Sequence, residues 1–264
     1  MFGPQHPLRY QLSKNFRQTR RTLSNFIHAS SFSTRRLEKP LGVEVLRSRS
    51  PFFRDLPQVP RRLFENKRVN LSRALDGLNG ILIRPGEVFS FWWLVGAPDV
   101  KRGFLEGLVI RQGRAETGFG GGLCQLSNMI HYLVLHSDVK VMERHRHSFD
   151  LFPDDARTVP FGIGATVSYN YKDLRFLNKS AATYQLIFEL DETHLSGRLL
   201  CDREPEKRYC LKERDCRVTC TEGVYWRENE VYREVADERD KTVEEEVLFR
   251  NRCECRYIPR EVMA

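Results

Sequence analysis

The sequence predicts an α+β fold: a mostly antiparallel sheet packed with a central helix that follows a glycine-rich loop, plus a basic helix at the N-terminus. Three observations predict it. Four short runs rich in β-branched and aromatic residues, with turn residues between several of them, lie between residues 139 and 190. An apolar pattern of helical period, Leu123, Leu126, Ile130, Leu133 and Val134, follows the glycines of 118–122. Leu8, Leu12, Phe16, Leu23 and Ile27 fall near one helical stripe, with Arg9, Lys14, Arg17, Arg20 and Arg21 mostly elsewhere. Helical and strand patterns thus occupy separate stretches, which is α+β order.

The N-terminal helix carries the charge. Residues 1–73 hold 16 Lys or Arg against 4 Asp or Glu, a charge of +12, so of the net +8 the remaining chain accounts for −4. A helix docked on its own domain with a solvated basic face is the favoured reading; an anionic membrane surface is the alternative partner. Neither zinc-finger spacing nor an aromatic-rich RNA motif is present, so no nucleic-acid partner is expected. No run approaches the ~18 apolar residues that span a bilayer. The stretch "LRYQLSKNFRQTRRTLSNF" also lacks a signal peptide's apolar centre, so a cytoplasmic location, at most peripheral to the membrane, is expected. A chain of 264 residues with 41% hydrophobic and 11% aromatic content is long and apolar enough for a continuous core, which excludes global disorder.

Pro40, Pro51, Pro57 and Pro60 among arginines predict an irregular connector, so the expected organisation is 1–62 helix and connector, 63–200 core domain and 201–264 cysteine-rich extension. The core opens on a helix capped at Asn70, then a strand at Ile81–Ile83, a turn at Pro85–Gly86 and an aromatic strand. Alternation along that strand puts Phe89, Phe91 and Trp93 in the core and Trp92 on the other side. Leu123 to about Leu135 is the central helix. Strands follow at 139–143, 165–171, 174–178 and 183–190. In the extension, "GVYWRENEVYREV" reads as a hairpin around Glu228–Asn229, followed by an acidic helical stretch and a last strand near "CECRYI".

Taken together, "LNGILIRPGEVFSFWWLVG", "GGGLCQLSNMIHYLVL", "ERHRHSFD" and "GIGATVSYNYKDLRFLN" resemble the VanW family from about residue 66 to about 190. The "VYWRENEVYRE" tail is similar to the short form of that family, without appended wall-binding domains. The resemblance implies an association with glycopeptide (vancomycin) resistance or cell-wall metabolism. Gly164 stands where many longer relatives carry aspartate, so no role for that aspartate carries over.

The chemistry has to come from the residues. A glycine run feeding a helix aims backbone N–H groups and the positive end of the helix dipole at its first turn, which favours a thiolate at Cys124. Gly120, Gly121, Gly122, Gln125, Ser127 and His145 are the candidate binding residues around it, with the backbone amides and Gln125 as donors to an oxyanion. A thiol nucleophile needs an imidazole and a group to orient it. His131 lies seven residues along the same helix, about 10 Å away at ~1.5 Å per residue, beyond contact. His145 and His147 follow a strand that can return to the helix start, and His147 is preferred because it fits the family's "HS" motif. Asp173 is the chosen orienter, with Asp150 next. The order of parts resembles the papain-like plan of cell-wall amidases and endopeptidases, an analogy of arrangement.

Two functions follow. One is a Cys124–His147 acyl-transfer or hydrolase activity on a cell-wall peptide or precursor; the other is a noncatalytic accessory or binding protein of the envelope and resistance machinery. In the second, Cys124 packs as a small buried residue and the glycines permit close helix packing. Arg175 fits a substrate carboxylate, although pairing with a nearby Asp is commoner. Cys201, Cys210, Cys216, Cys220, Cys253 and Cys255 lack zinc-ribbon spacing. Reduced thiols on strands are therefore expected, with no cofactor, and zinc held by spatial convergence is the weaker alternative.

Overall fold

The computed structural model describes residues 7–52, 60–111, 114–147, 149–150, 159–237, 241–259 and 262. In chain order the elements are α1 (Pro7–Ile27), β1 (Val43–Pro51), α2 (Arg61–Leu78), β2 (Ile81–Ile83), β3 (Val88–Ser90), α3 (Phe91–Val95), β4 (Glu106–Arg111) and β5 (Arg114–Phe119). They continue with α4 (Leu123–Val134), β6 (Lys140–Glu143), β7 (Phe149–Asp150), β8 (Arg175–Leu177), β9 (Tyr184–Leu190) and β10 (His194–Cys201). The C-terminal strands are β11 (Arg208–Thr221), β12 (Val224–Ala236) and β13 (Thr242–Cys255). This is the α+β class that the sequence predicts, with every strand pair antiparallel among the described residues except β13 with β7.

The core forms where α2 and α4 pack on the sheet β1-β10-β9-β2. Leu71, Ala74 and Leu78 of α2 and Leu126, Ile130 and Leu133 of α4 meet Leu186, Leu195 and Leu199 in one buried cluster. Burial of this apolar surface is the main stabilising term. A second sheet, β3-β8-β6, adds the stacked rings of Phe89 and Phe176, 4.4 Å apart and 8° from parallel. The turn at Pro85–Gly86 forms as expected: Gly86 takes φ 78° and Glu87 N–H donates to Arg84 O at 3.0 Å.

Several local expectations are corrected, each by a tertiary partner. The connector is not irregular throughout, because Val43–Pro51 pairs along β10 as an outer strand of the core sheet. Asn70 does not cap a helix. The helix starts at Arg61, and Asn70 lies buried inside it, with Nδ2 donating to Leu105 O and Gly121 O, both at 3.0 Å, and Oδ1 accepting from Leu105 N–H at 2.8 Å.

The aromatic run is a strand only as far as Ser90. There the Ser90 hydroxyl accepts from Trp93 N–H, and Phe91–Val95 turns into a short helix that buries Phe91 and Trp92 and leaves Trp93 half-buried. The predicted strand 165–171 joins no sheet among the described residues: Ala165 and Val167 meet side chains of α4, and Ser168 bridges back to Lys172.

In the extension, β12 runs unbroken through Glu228 and Asn229, and the chain reverses at Glu222–Gly223, both with positive φ. The acidic stretch is strand β13 rather than helix. Its carboxylates face arginines across the sheet: Arg214 reaches Glu245 at 2.9 Å and Arg233 reaches Glu246 at 2.7 Å. Arg233 is directly opposite Glu246 in the ladder, and Arg214 reaches Glu245 over the intervening strand β12; these opposite charges favour the strand over the helical alternative.

The basic N-terminal helix forms, and its orientation reverses the favoured expectation. Gln18, Arg21, Thr22 and Asn25 turn toward the body, while Phe16, Leu23, Phe26 and Ile27 are exposed. The side chains of Leu8 and Leu12 lie outside the described residues.

Candidate functional site

The glycine loop is built for close approach. Gly122 sits at φ 98° as the N-cap of α4, a conformation that side chains rarely adopt. A Cβ on Gly121 would overlap the backbone of Gly107 in β4. The loop therefore passes close over β4 as it leads into α4, which packs on α2, β1 and β10, and Asn70 of α2 holds Gly121 O. Among the loop amides, Gly120 N–H donates to Leu105 O at 3.2 Å, Gly121 N–H to Gly118 O at 3.3 Å and Leu123 N–H to Gly120 O at 3.3 Å. Gln125 spends its side-chain NH₂ on Ser50 Oγ at 2.7 Å and Pro51 O at 2.9 Å, tying the end of β1 to the helix start.

One face of α4 is apolar and buried, and the other carries Cys124, Ser127, Asn128 and His131. That polar face binds backbone. Cys124 Sγ lies 3.8 Å from Val167 O, Ser127 Oγ donates to Ala165 O at 2.6 Å, Asn128 Oδ1 accepts from Ala165 N–H at 2.7 Å, and His131 Nδ1 lies 2.6 Å from Ile163 O. Because a carbonyl only accepts, the Nδ1 of His131 carries the proton.

The contacts run antiparallel: as the helix advances by one turn, the facing chain retreats by two residues. A helical turn rises about 5.4 Å and two extended residues about 6.6 Å, close enough for three successive matches. The intervening residues of the segment face the opposite way, as alternation requires. Thr166 N–H donates to His145 O at 2.6 Å and Gly164 O accepts from Arg144 Nε at 2.9 Å. Residues 163–167 are thus a segment outside any sheet whose partners on one flank are helix side chains. A polar stripe on an otherwise apolar helix is the sequence signal for such a clamp, since buried polar groups need partners; Asn128 and Arg144 are the members that a search for catalytic groups misses.

Electrostatics at the clamp follow burial. Desolvation pushes the Cys124 thiol up from its ordinary value, against smaller opposing effects of the Val167 backbone and the Lys172 ammonium. Burial, reinforced by the Arg144 guanidinium, lowers His131 to about 3, so it is neutral, and its Nε2 is buried without a hydrogen-bond partner among the described residues. His147 is lowered by burial and by Lys172, so the field of Lys172 reaches both His147 and Cys124. Among the described residues no hydrogen bond joins Cys124 to an imidazole.

The remaining candidates fall elsewhere. Asp173 is buried, and its carboxylate accepts from Ser90 Oγ at 2.6 Å, Trp92 N–H at 3.1 Å, Leu174 N–H at 2.9 Å and Arg175 Nε at 2.7 Å, so no histidine is among these donors. It caps α3 and fixes Arg175, which also donates to Asn25 Oδ1 of α1 at 2.7 Å. His145 Nε2 meets Glu143 Oε1 at 2.9 Å. Glu143 is a hub: despite the upward push of burial, hydrogen bonds from His145, Arg21 and the Asp173 N–H hold it down at about 2. Asp150 accepts from Tyr257 Oη at 2.8 Å, in the C-terminal sheet. Of the tail cysteines, Cys201, Cys253 and Cys255 are buried and Cys210, Cys216 and Cys220 exposed. Among the described residues no three His, Cys, Asp or Glu side chains converge as a metal site.

Residues 66–200, which contain the glycine loop, α4 and the clamped segment, match the family described as VanW like protein. The chain is 32% identical over 200 residues to the vancomycin B-type resistance protein VanW of Enterococcus faecalis, spanning 75% of this chain and 73% of that protein. It is 30% identical over 113 residues to the uncharacterized protein YoaR of Bacillus subtilis, spanning 42% of this chain and 35% of that protein. No solved structure matches it.

Proposed function

Because this chain belongs to the family of VanW-like proteins, we propose that it serves glycopeptide resistance and cell-wall metabolism as a noncatalytic accessory protein that binds a wall-derived peptide, its precursor or a protein partner. The observation that carries this reading is the use made of the polar face of α4. Cys124, Ser127, Asn128 and His131 hold residues 163–167 in place, and the Cys124 thiol is raised rather than activated. A nucleophilic thiol needs the opposite shift.

A second reading keeps Cys124 as nucleophile and His147 as base in acyl transfer or hydrolysis on a peptide-like wall precursor, with Asp173 behind them. What favours it is the common neighbour Lys172, whose charge acts on both groups. Complementation separates the two. In cells deprived of the protein, wild type and Cys124→Ala are expected to restore vancomycin tolerance equally, and His147→Ala likewise. If Cys124→Ala accumulates to wild-type level yet fails to restore tolerance, and loses turnover of muropeptide precursors, the catalytic reading replaces the accessory one.

A further inference from the structure

Helix α1 is amphipathic in the reverse sense for a docked helix. Its polar side is bolted to the body: Gln18 Nε2 donates to Tyr169 O at 2.9 Å, Asn170 Nδ2 donates to Thr22 Oγ1 at 2.6 Å, Arg175 donates to Asn25, and Arg21 forks onto Glu143. Its apolar side faces out. Phe16, Leu23, Phe26 and Ile27 are 69%, 63%, 68% and 69% exposed and occupy a sector of about 100° on the helix. The Arg21–Glu143 pair and the Arg175–Asn25 bond fix this rotation, so the apolar row cannot turn inward without breaking half-buried polar contacts.

The charge of the helix names the occupant. Residues 7–27 contain Arg9, Lys14, Arg17, Arg20 and Arg21 and no acidic residue. Arg17 and Arg20 are exposed along one edge of the apolar row, and Tyr171 lies beneath Arg17, its ring centroid 5.8 Å from the guanidinium carbon. A second copy seated face to face would bring two cationic edges together, whereas an anionic lipid surface complements both the apolar row and the arginines. No helix among the described residues is long and apolar enough to cross a membrane, which fits attachment in the plane of the interface.

We infer that α1 docks this protein on an anionic bilayer surface, inserting Phe16, Leu23, Phe26 and Ile27 between lipids while Arg17 and Arg20 meet the headgroups. This assignment is independent of the chemistry at Cys124.

The test uses the full chain and vesicles of phosphatidylglycerol with phosphatidylcholine, compared with phosphatidylcholine alone. Wild type is expected to float with the anionic vesicles, in a salt-sensitive manner, and to leave the neutral ones. The double variant Phe16→Asn with Leu23→Asn is expected to lose binding by at least about tenfold with unchanged circular dichroism. Arg20→Gln is expected to weaken binding to anionic vesicles alone. Equal flotation with both lipids, no flotation of wild type, or a lipid-free dimer that the double variant dissociates would each overturn the assignment, the last in favour of a second copy as the occupant.

Discussion

His131 shows how a single buried group fixes a pH dependence. Its Nδ1–H is committed to Ile163 O, its Nε2 is enclosed, and burial lowers its pKa to about 3 from an ordinary value of 6.5. The unfolded chain takes up a proton near 6.5 that the folded chain refuses until about 3, so unfolding gains ground as pH falls across that window. The stability that neutral His131 allows is complete above about 6.5 and is lost below it. Denaturant midpoints measured from pH 7 to pH 4 should fall steadily for wild type and distinctly less for His131→Gln. A flat wild-type profile would remove the group from the buried site. None of this is legible from the sequence, in which His131 stands only as the histidine too far along the helix to reach Cys124; its role depends on a segment more than thirty residues away.

At the scale of elements, what can be read from the sequence depends on how local the cause is. Helix α4 is legible because its apolar period and the glycines before it are both within the same stretch, and β9 is legible because Tyr184, Ile187 and Phe188 give its short apolar run a strand composition. Helix α3 is not. "FWWLV" has strand propensity, and the helix is set by Ser90 capping Trp93 N–H, with the hydroxyl anchored on Asp173, 83 residues away. Ser90→Ala should cost about 2–5 kcal/mol, a cap plus a buried charge-assisted hydrogen bond, measured as a fall in unfolding free energy. A loss within error would mean that the aromatic packing alone makes the helix. The strand expected at 165–171 fails for a related reason: its alternation is real, but its partner is the side of a helix. β13 was hidden because a run of glutamates has helical propensity until arginines across a sheet neutralise it.

At the scale of the molecule, the glycine loop, α2, β1 and β10 converge on α4, and Cys124, Gln125, Ser127, Asn128 and His131 of that helix each commit a polar atom to a structural contact. The sequence brings Cys124 and its glycine run to the right place; what it cannot supply is whether the thiol is aimed at a reactant or at backbone, because that is decided by where residues 163–167 pass. The outward row of α1 was equally out of reach, since a helical stripe alone does not tell which side docks. Whether α4 clamps or catalyses is decided most directly by the reactivity of Cys124. Site-resolved alkylation of the folded protein with iodoacetamide, followed by mass spectrometry across pH, should find Cys124 slower than a small-molecule thiol near neutral pH, with its rate rising only above the ordinary thiol range. Labelling faster than that reference near neutral pH, and slowed in His147→Ala, would contradict the clamp and establish a nucleophile.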